Sequence, residues 1–257
     1  MSHLIECKNI SLHFGGIKAI EDINFFLDEG ELVGLIGPNG AGKTSFFNIL
    51  SGVYTPTLGE YFLNGEKITS MKPHKLVKKG LVRTFQNIRL FKQMSVIDNV
   101  IAASNFNMKY SIIAGTLRTK SYWQEEKLQR EKALELLSIF DLDSVAENDA
   151  QSLPYGKQRK LEIARAVATN PKVLLLDEPA AGMNPKETQE LMDTISKIRD
   201  EFDISILLIE HDMKLVLGLC ERLIVLDHGK IIAQGDPEAV VNDSEVIKAY
   251  LGEEVAA

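Results

Sequence analysis

A glycine-rich segment between an apolar run and a helical pattern constrains this chain more than any other feature. Residues 37–44 read Gly-Pro-Asn-Gly-Ala-Gly-Lys-Thr and fit the phosphate-binding pattern G-x-x-x-x-G-K-[ST]. The apolar run 32–36 precedes it, and an amphipathic helix is predicted for Lys43–Leu50. Glycines let backbone N–H groups converge on an anion, and a helix N-terminus adds unpaired donors. The segment predicts a phosphate cradle in which Lys43 approaches the outer phosphates and Thr44 offers a hydroxyl to Mg2+; the alternative is a glycine-rich turn with a solvated lysine.

The composition describes a globular chain without a broadly basic surface. Hydrophobic residues make up 45% and charged residues 25% of the 257 positions, which excludes disordered and collagen-like classes. Asp and Glu number 36 against 29 Lys and Arg, so the net charge is −7, whereas nucleic-acid binding needs a basic surface. No apolar run approaches the ~18 residues of a membrane span, and residues 1–6 do not resemble a signal peptide. Cys7 and Cys220 have no metal-binding spacing. We therefore expect a soluble protein of the reducing cytosol with no nucleic-acid partner.

Short apolar runs alternate with helical patterns through most of the chain, which predicts an α/β fold. The runs 173–176 and 204–209 are of the kind that is buried in a parallel sheet. Strand-like pieces near the N-terminus and a strand that ends at the Asn64-Gly65 turn predict a small antiparallel sheet packed on the parallel core.

The middle of the chain has a different, mostly helical pattern. Ala133, Leu137 and Phe140 recur at the i, i+4 and i+7 positions of one helix face. The sequence therefore predicts a helical subdomain at 88–158, inserted into an α/β core formed by residues 1–87 and 159–257. All of these parts belong to one domain, 1–257.

Polar side chains follow the predicted core strands where ligands bind in such sheets. Asp177 and Glu178 come directly after the run 173–176; Asp177 suits Mg2+, and Glu178 suits the orientation or deprotonation of a water. The alternative for this pair is the start of an ordinary loop. His211 follows the next run and is expected to contact a γ-phosphate or the water, or else to be structural. The amide of Gln86 is a further candidate contact for Mg2+ or water.

Taken together, these residues resemble an ATP-binding cassette ATPase, and the resemblance covers almost the whole chain. The motifs follow the family's order: the phosphate loop, Gln86, Leu153-Pro154-Tyr155-Gly156-Lys157-Gln158, Asp177-Glu178-Pro179, and His211. The resemblance implies a P-loop NTPase core with a RecA-like parallel sheet, an antiparallel β-subdomain and an inserted helical subdomain. It also implies ATP and Mg2+ as the bound cofactors.

The resemblance divides the candidate residues by role. The nucleotide-binding set is Phe14, Gly37, Pro38, Asn39, Gly40, Ala41, Gly42, Lys43, Thr44 and Ser45. The catalytic set is Glu178, His211 and Gln86, and the Mg2+ set is Thr44, Gln86 and Asp177. The signature set, which faces the ATP held by a partner subunit, is Leu153, Pro154, Tyr155, Gly156, Lys157 and Gln158. Phe14 is expected to stack on adenine, and its alternative role is packing on the sheet.

The signature segment departs from the family's usual Leu-Ser-Gly-Gly-Gln at Pro154, Tyr155 and Lys157. The helix after it is predicted at 158–168. Asn184 stands where the family usually has an aspartate. Every residue expected to contact the phosphates, Mg2+ and the attacking water matches the family pattern, so we expect the chain to hydrolyse the ATP that it holds. Because the signature segment departs from the pattern, we expect it to cap the partner's ATP in an altered way.

Within the family, the chain is similar to the ATPase subunits of branched-chain amino acid importers. The supporting stretches are 12–16, 80–86, 155–165 and 177–185, with a long connection at 105–124 and the tail 246–252. This resemblance implies a second ATPase subunit, identical or related, in a head-to-tail dimer. It further implies transmembrane permease subunits, an extracellular substrate-binding protein acting indirectly, and a peripheral place on the inner face of a prokaryotic cell membrane.

A groove for a short permease helix is expected to be lined by Arg83, Arg89, Phe91 and Met94; the alternative is ordinary helix surface. Three other functions stay open. One is a non-transport cassette ATPase, although such chains usually carry two cassettes or a long coiled coil. Another is a small-molecule kinase with the same phosphate loop. The last is the ATPase of a different transporter, for another amino acid, for urea or in a lipid pathway.

Overall fold

The computed structural model describes residues 3–104 and 120–254. The chain forms two compact units. Unit 1 comprises residues 1–86, 172–182 and 198–257. Unit 2 comprises residues 87–171 and 183–197.

The strands of the described residues all lie in unit 1 and form two sheets. In chain order they are β1 (Ile5–Phe14), β2 (Ile17–Leu27), β3 (Leu32–Ile36), β4 (Leu58–Leu63), β5 (Glu66–Lys67), β6 (Leu81–Arg83), β7 (Val173–Asp177), β8 (Ser205–Ile209), β9 (Arg222–Asp227) and β10 (Lys230–Gly235). The smaller sheet has the order β2-β1-β4-β5 and its pairs are antiparallel. The larger sheet has the order β10-β9-β3-β8-β7-β6.

The larger sheet is parallel from β9 to β6, and β10 is added antiparallel at its edge. Every residue of β3, β7 and β8 is buried, as expected for central strands covered on both faces. Their carboxyl ends meet at one edge, so the loops that start at Gly37, Glu178 and Glu210 leave the sheet together. The predicted parallel core and the antiparallel sheet are confirmed.

The helices, numbered in the same way, are α1 (Lys43–Leu50), α2 (Pro73–Lys78), α3 (Val96–Ser104), α4 (Lys120–Ile139), α5 (Tyr155–Val167), α6 (Pro185–Phe202), α7 (Met213–Leu219), α8 (Pro237–Val241) and α9 (Ser244–Glu254). Helix α1 buries Phe46, Phe47 and Leu50, the face that the sequence predicted. Each such side chain contributes about 1.5–3 kcal/mol when it is fully buried. This packing fixes the N-terminus of α1 at the edge of the larger sheet.

Unit 2 is helical, with α3, α4 and α5 and the first part of α6. Ala133, Leu137 and Phe140 are all buried in it, as their spacing predicted. The boundary predicted at 158/159 falls inside α5, and the structure keeps this continuous helix whole in unit 2. Of the long connection predicted at 105–124, residues 105–119 lie outside the described residues. Its last positions, from Lys120 on, belong to the start of α4.

Both cysteines are free and buried. Burial raises the pKa of the Cys220 thiol to about 12, and it raises the pKa of the Cys7 thiol as well. Both side chains are therefore protonated and unreactive at neutral pH. Among the helices in the described stretches, none has the length and apolarity needed to cross a membrane.

Candidate active site

The loop between β3 and α1 has the geometry of an anion cradle. Gly37 has φ +143°, and a Cβ there would lie only 2.0 Å from the carbonyl oxygen of Leu226. Only glycine therefore lets the loop cross β9 at this point. The Nζ of Lys43 donates to the carbonyl oxygens of Gly37 at 2.6 Å and Pro38 at 2.8 Å, so the ammonium lies across the loop. Together with the first N–H groups of α1, this makes a concentrated positive site.

The other predicted nucleotide-binding residues lie in the same loop and first helical turn. Asn39, Gly40 and Thr44 are exposed, whereas Ala41 is buried. The N–H of Phe46 donates to the carbonyl of Gly42 at 2.9 Å, which begins the helical ladder of α1. The predicted Thr44 hydroxyl is therefore at the exposed start of the helix, where a cation bound to phosphate oxygens can reach it.

The two candidate carboxylates lie at the carboxyl end of β7. Asp177 is the last residue of the strand, in register with Ile209 of β8, and is 6% exposed. Glu178 follows with φ +46°, a left-handed conformation that non-glycine residues seldom adopt. Its N–H donates to the carbonyl of Ile209 at 2.9 Å. Asp177 therefore extends from the end of the strand, and Glu178 extends from the strained turn that follows it.

Arg83 lies in the interior of unit 1, so the prediction that it lines a permease groove is wrong. Its Nη2 donates to Oδ2 of Asp177 at 2.6 Å, and its side chain is only 6% exposed. Its Nη1 donates to Oδ1 of Asn48 at 2.7 Å and to Oγ of Ser51 at 3.0 Å. A cation in a buried strand needs such partners, because an unpaired buried charge is very costly.

These contacts make Arg83 a bridge between two parts of the site. Asn48 belongs to α1, which begins at the phosphate loop, and Asp177 ends β7. The guanidinium therefore fixes the Asp177 carboxylate relative to the helix that carries Lys43 and Thr44.

Gln86 contacts the second carboxylate. Its Nε2 donates to Oε2 of Glu178 at 2.8 Å. The structure therefore brings these two predicted catalytic residues together directly, with the amide in a position to orient the carboxylate.

His211 and its neighbour Glu210 differ sharply in exposure. The His211 side chain is 70% exposed, and its Nδ1 lies 3.8 Å from Oε2 of the buried Glu210. Oε1 of Glu210 accepts from the N–H of Ala180 at 2.9 Å, and Oε2 accepts from the N–H of His211 at 3.1 Å. Burial raises the pKa of the Glu210 carboxyl, while these backbone donors oppose the rise. The structure thus adds a buried carboxylate to this edge of the sheet.

Phe14 lies at the end of β1 with 47% of its surface exposed. Its ring meets that of Tyr54 edge to face, with centroids 5.3 Å apart. The half-exposed ring is accessible to a ligand, as the predicted stacking on adenine requires.

In unit 2, the last four signature residues, 155–158, form the start of α5, and Leu153 and Pro154 lie before it. The helix begins at Tyr155, three residues earlier than predicted, after Pro154 at the N-cap. The N–H of Gln158 donates to the carbonyl of Pro154 at 3.0 Å, which closes the first helical turn. Its side-chain Nε2 donates to the carbonyl of Leu153 at 2.8 Å. The unpaired N–H groups of this first turn are thus presented at the helix end.

Gly156 permits a close approach by helix α6. A Cβ at Gly156 would lie 2.9 Å from Oε1 of Glu187. Asn184 and Glu187 cap α6 reciprocally: Oδ1 of Asn184 accepts from the N–H of Glu187, and Oε2 of Glu187 accepts from the N–H of Asn184, both at 3.0 Å. A cavity of about 410 Å³ adjoins the signature residues, lined in part by Pro154, Lys157 and Lys160.

The remaining groove residues lie in unit 2 beside a buried ionic network. Arg159 is fully buried and its Nη1 donates to Oε2 of Glu162 at 2.7 Å. Oε1 of Glu162 accepts from the N–H of Arg89 at 3.1 Å. The guanidinium of Arg165 lies 4.8 Å from the ring of Phe91, which is 51% exposed. The network holds the segment with Arg89 and Phe91 against α5.

Sequence profiles of known families match most of this chain. The family described as ABC transporter matches residues 20–181. A family described as branched-chain amino acid ATP-binding cassette transporter matches residues 230–256. The first match includes the phosphate loop, Gln86, the signature residues and both carboxylates.

Curated relatives align with the chain from end to end. It is 44% identical to the high-affinity branched-chain amino acid transport ATP-binding protein BraF of Pseudomonas aeruginosa, over 97% of this chain and 98% of that protein. It is 43% identical to the corresponding protein LivG of Escherichia coli K12, with the same coverage. This chain belongs to the ABC transporter ATPases. It binds and hydrolyses ATP to power transport, as this family does, and the two relatives above are branched-chain amino acid transport ATP-binding proteins.

Solved structures agree with the cassette fold. An ATP-binding cassette of an ABC transporter in its ADP conformation has a TM-score of 0.85 and 30% identity, with 98% of this chain and 100% of that chain covered. The cassette cbiO1 of Clostridium perfringens, part of the transporter complex cbiONQ, has a TM-score of 0.81 and 25% identity, with 98% and 100% covered. The prediction of a P-loop NTPase core is therefore confirmed, whereas the roles of individual site residues stay predictions.

In this ABC ATPase, the role of Glu210 was not predicted from the sequence, and Arg83 was predicted at the wrong place. Each carried a signal. Arg83 ends a short strand after two apolar residues, and Glu210 follows a strand whose last four residues are apolar. Charged residues are almost never fully buried unless they are paired. Both residues therefore need a partner, and the sequence alone does not identify it.

The buried Arg83 pair supports a prediction on stability. Replacing Arg83 by methionine is expected to lower the free energy of unfolding by about 3–5 kcal/mol, because it leaves a buried carboxylate without its cation. Urea unfolding of the full chain measures the loss. The control is Lys67→Met, which breaks a half-exposed pair with Glu60 and is expected to cost less than about 1 kcal/mol. Equal losses in the two variants would contradict a buried compensating role for Arg83.

Proposed function

We propose that this chain hydrolyses ATP to power the import of branched-chain amino acids. The observation that carries the proposal is the match of residues 230–256 to the branched-chain amino acid cassette family, because this tail lies outside the general ABC match. The names of the relatives at 43–44% identity support the same substrate class.

ATP is held by the phosphate loop. The loop amides and the first turn of α1 bind the phosphate oxygens, and the Lys43 ammonium exchanges its bonds to the loop carbonyls for the outer phosphates. The exposed ring of Phe14 stacks on adenine. These contacts fix the γ-phosphate at the carboxyl edge of the larger sheet.

The residues at this edge fit a magnesium ion bound together with the nucleotide. Thr44, Asp177 and Gln86 carry oxygens of the kind that Mg2+ prefers. In the bonds described above, Arg83 contacts only one of the two carboxylate oxygens of Asp177. The ion, when bound, supplies positive charge to the β- and γ-phosphates.

Glu178 is the general base of hydrolysis. It accepts a proton from the water that attacks the γ-phosphorus, while the bond from that phosphorus to the bridging oxygen breaks and ADP leaves. Gln86 orients the Glu178 carboxylate through its 2.8 Å bond. The exposed His211 ring contacts the γ-phosphate or the attacking water.

The signature residues act on the ATP of a second ATPase subunit, identical or related, in a head-to-tail dimer. A solved cassette with 25% identity and a TM-score of 0.76 forms a dimer in a post-hydrolysis state bound to ADP and Pi. Pro154 offers neither an N–H nor a hydroxyl there, so the N–H groups of the first turn of α5, with its positive dipole end, provide the cap.

Permease subunits dock on unit 2. The surface around Arg89, Phe91 and Met94 receives a short cytosolic permease helix, since Phe91 is half exposed and backed by Arg165. The chain then lies at the inner face of a prokaryotic cell membrane as a peripheral subunit, and an extracellular binding protein delivers the substrate.

Reconstitution tests the substrate class. The chain is co-expressed with permease subunits and a second ATPase subunit of a branched-chain amino acid transporter, and the complex is placed in proteoliposomes with the binding protein of that transporter. ATP-dependent uptake of radiolabelled leucine, isoleucine and valine is expected, and it should vanish with Glu178→Gln. Uptake of urea or of another amino acid alone would contradict the substrate assignment but not the ATPase role.

A lipid-pathway transporter is the second candidate. The chain is 32% identical to the lipopolysaccharide export ATP-binding protein LptB of Haemophilus influenzae, over 98% of both proteins. Co-purification with permeases that extract a lipid, and no uptake of any amino acid, would favour this alternative.

A further inference from the structure

Glu210 lies where two loops of the proposed site meet. Its carboxylate is 2% exposed and is held by backbone donors from both loops. Oε1 receives the N–H of Ala180, two residues after Glu178, and Oε2 receives the N–H of His211. One side chain therefore ties the loop after β7 to the loop after β8.

The turn that carries Glu178 needs such a tie. A non-glycine residue in the left-handed region is strained, and the strain persists only where the surroundings determine it. Three of the bonds at this turn are those from the N–H of Glu178 to Ile209, from the N–H of Ala181 to Glu178, and from the N–H of Ala180 to Glu210. Among these three bonds, only the last is made by a side chain, so only it can be removed by a substitution.

We propose that Glu210 is a positioning residue for ATP hydrolysis, which holds the strained turn of Glu178 in its working geometry and anchors it to the backbone of His211. The inference rests on the proposed role of Glu178 as the general base. Glu210 acts on the backbone of the two loops and not on the nucleotide, so its loss affects turnover and leaves ATP binding unchanged.

Glu210→Gln tests the inference with little change of volume. The glutamine must turn its NH2 group toward the N–H of Ala180 or toward the N–H of His211, so one of these donors loses its acceptor. We expect kcat for ATP hydrolysis by the full chain to fall about tenfold, the factor for one lost bond to a charged group. The KM for MgATP and the Kd for ADP are expected to stay within about twofold of the wild-type values, because the phosphate loop is unchanged.

A double-variant cycle separates positioning from general structural damage. If Glu210 acts through Glu178, adding Glu210→Gln to Glu178→Gln should lower the residual rate by less than about twofold. A further tenfold loss in that background would overturn the inference, as would an unchanged kcat of the single variant. Where the substitution Glu210→Gln prevents folding, Glu210→Asp is measured in both backgrounds with the same expected pattern.

Glu31 supplies the matched control. It is a partly buried glutamate paired with Arg222 at 2.7 Å, and it precedes β3 at the opposite edge of the same sheet. Glu31→Gln is expected to lower thermal stability and to leave kcat within about twofold, since it is remote from the phosphate loop. Wild-type rates in Glu178→Gln would overturn the proposed general-base role of Glu178 but not the ATPase function, which is a different result from wild-type rates in Glu210→Gln alone.

Discussion

Replacing Glu178 by glutamine is expected to lower the rate of ATP hydrolysis by about 100-fold or more, the range for loss of a general base. Glutamine keeps the shape of the side chain but cannot accept the proton of the attacking water. Nucleotide binding is retained, because the phosphate loop and Lys43 are unchanged, and the ATP-bound dimer accumulates in its closed form. Phosphate release measures the rate, and size-exclusion chromatography with MgATP measures the dimer.

The control for this variant is Glu201→Gln, at an exposed position of α6 in the same unit. It removes the same charge and is expected to change neither rate nor dimerisation. Hydrolysis by Glu178→Gln at the rate of the control would show that another group takes the proton. The 2.8 Å bond from Gln86 would then describe a structural contact.

The parts of this ABC ATPase that could be predicted from sequence are those that neighbouring residues determine together. The phosphate loop, the buried face of α1 and the hairpin turns each depend on fewer than about a dozen consecutive positions, within which glycines and apolar spacing carry the signal. The central strands are equally predictable, since short uninterrupted apolar runs bounded by polar residues suit buried parallel strands.

The parts that could not be predicted depend on partners far away in the chain. Arg83 and Asp177 are 94 positions apart, and Ala180 and Glu210 are 30 apart. Hydrophobic periodicity does not identify partners so far apart in the sequence. Arg83 was therefore predicted in a surface groove, whereas it lies in the interior. Its correct place follows only when β6 and β7 are seen as neighbours in the sheet.

The start of α5 shows a different limit. The resemblance to the family's signature loop predicted a helix that begins only at residue 158. At the N-terminus of a helix proline and glycine are tolerated: Pro154 needs no N–H at the cap, and Gly156 makes room for Glu187. The helix therefore begins three residues earlier, at Tyr155.

Replacing Lys43 by alanine is expected to weaken MgATP binding by about 10- to 100-fold, since a bond between charged groups contributes about 1.5–3 kcal/mol. In the structure the ammonium donates to two carbonyls of the loop, so the variant loses the charge at the phosphates and also the brace across the loop. Isothermal titration calorimetry with ATP and Mg2+ measures the affinity, and circular dichroism checks that the variant is folded.

Two comparisons make this result specific to the cradle. Lys75→Ala removes an equal charge from the exposed surface of α2 and is expected to leave the affinity unchanged. Raising the salt concentration should reduce any general attraction between ATP and the protein in both variants alike, because exposed charges are screened. An affinity of Lys43→Ala equal to that of Lys75→Ala would mean that the loop amides and the helix N-terminus bind the phosphates without the lysine, and the cradle would then depend on backbone geometry alone.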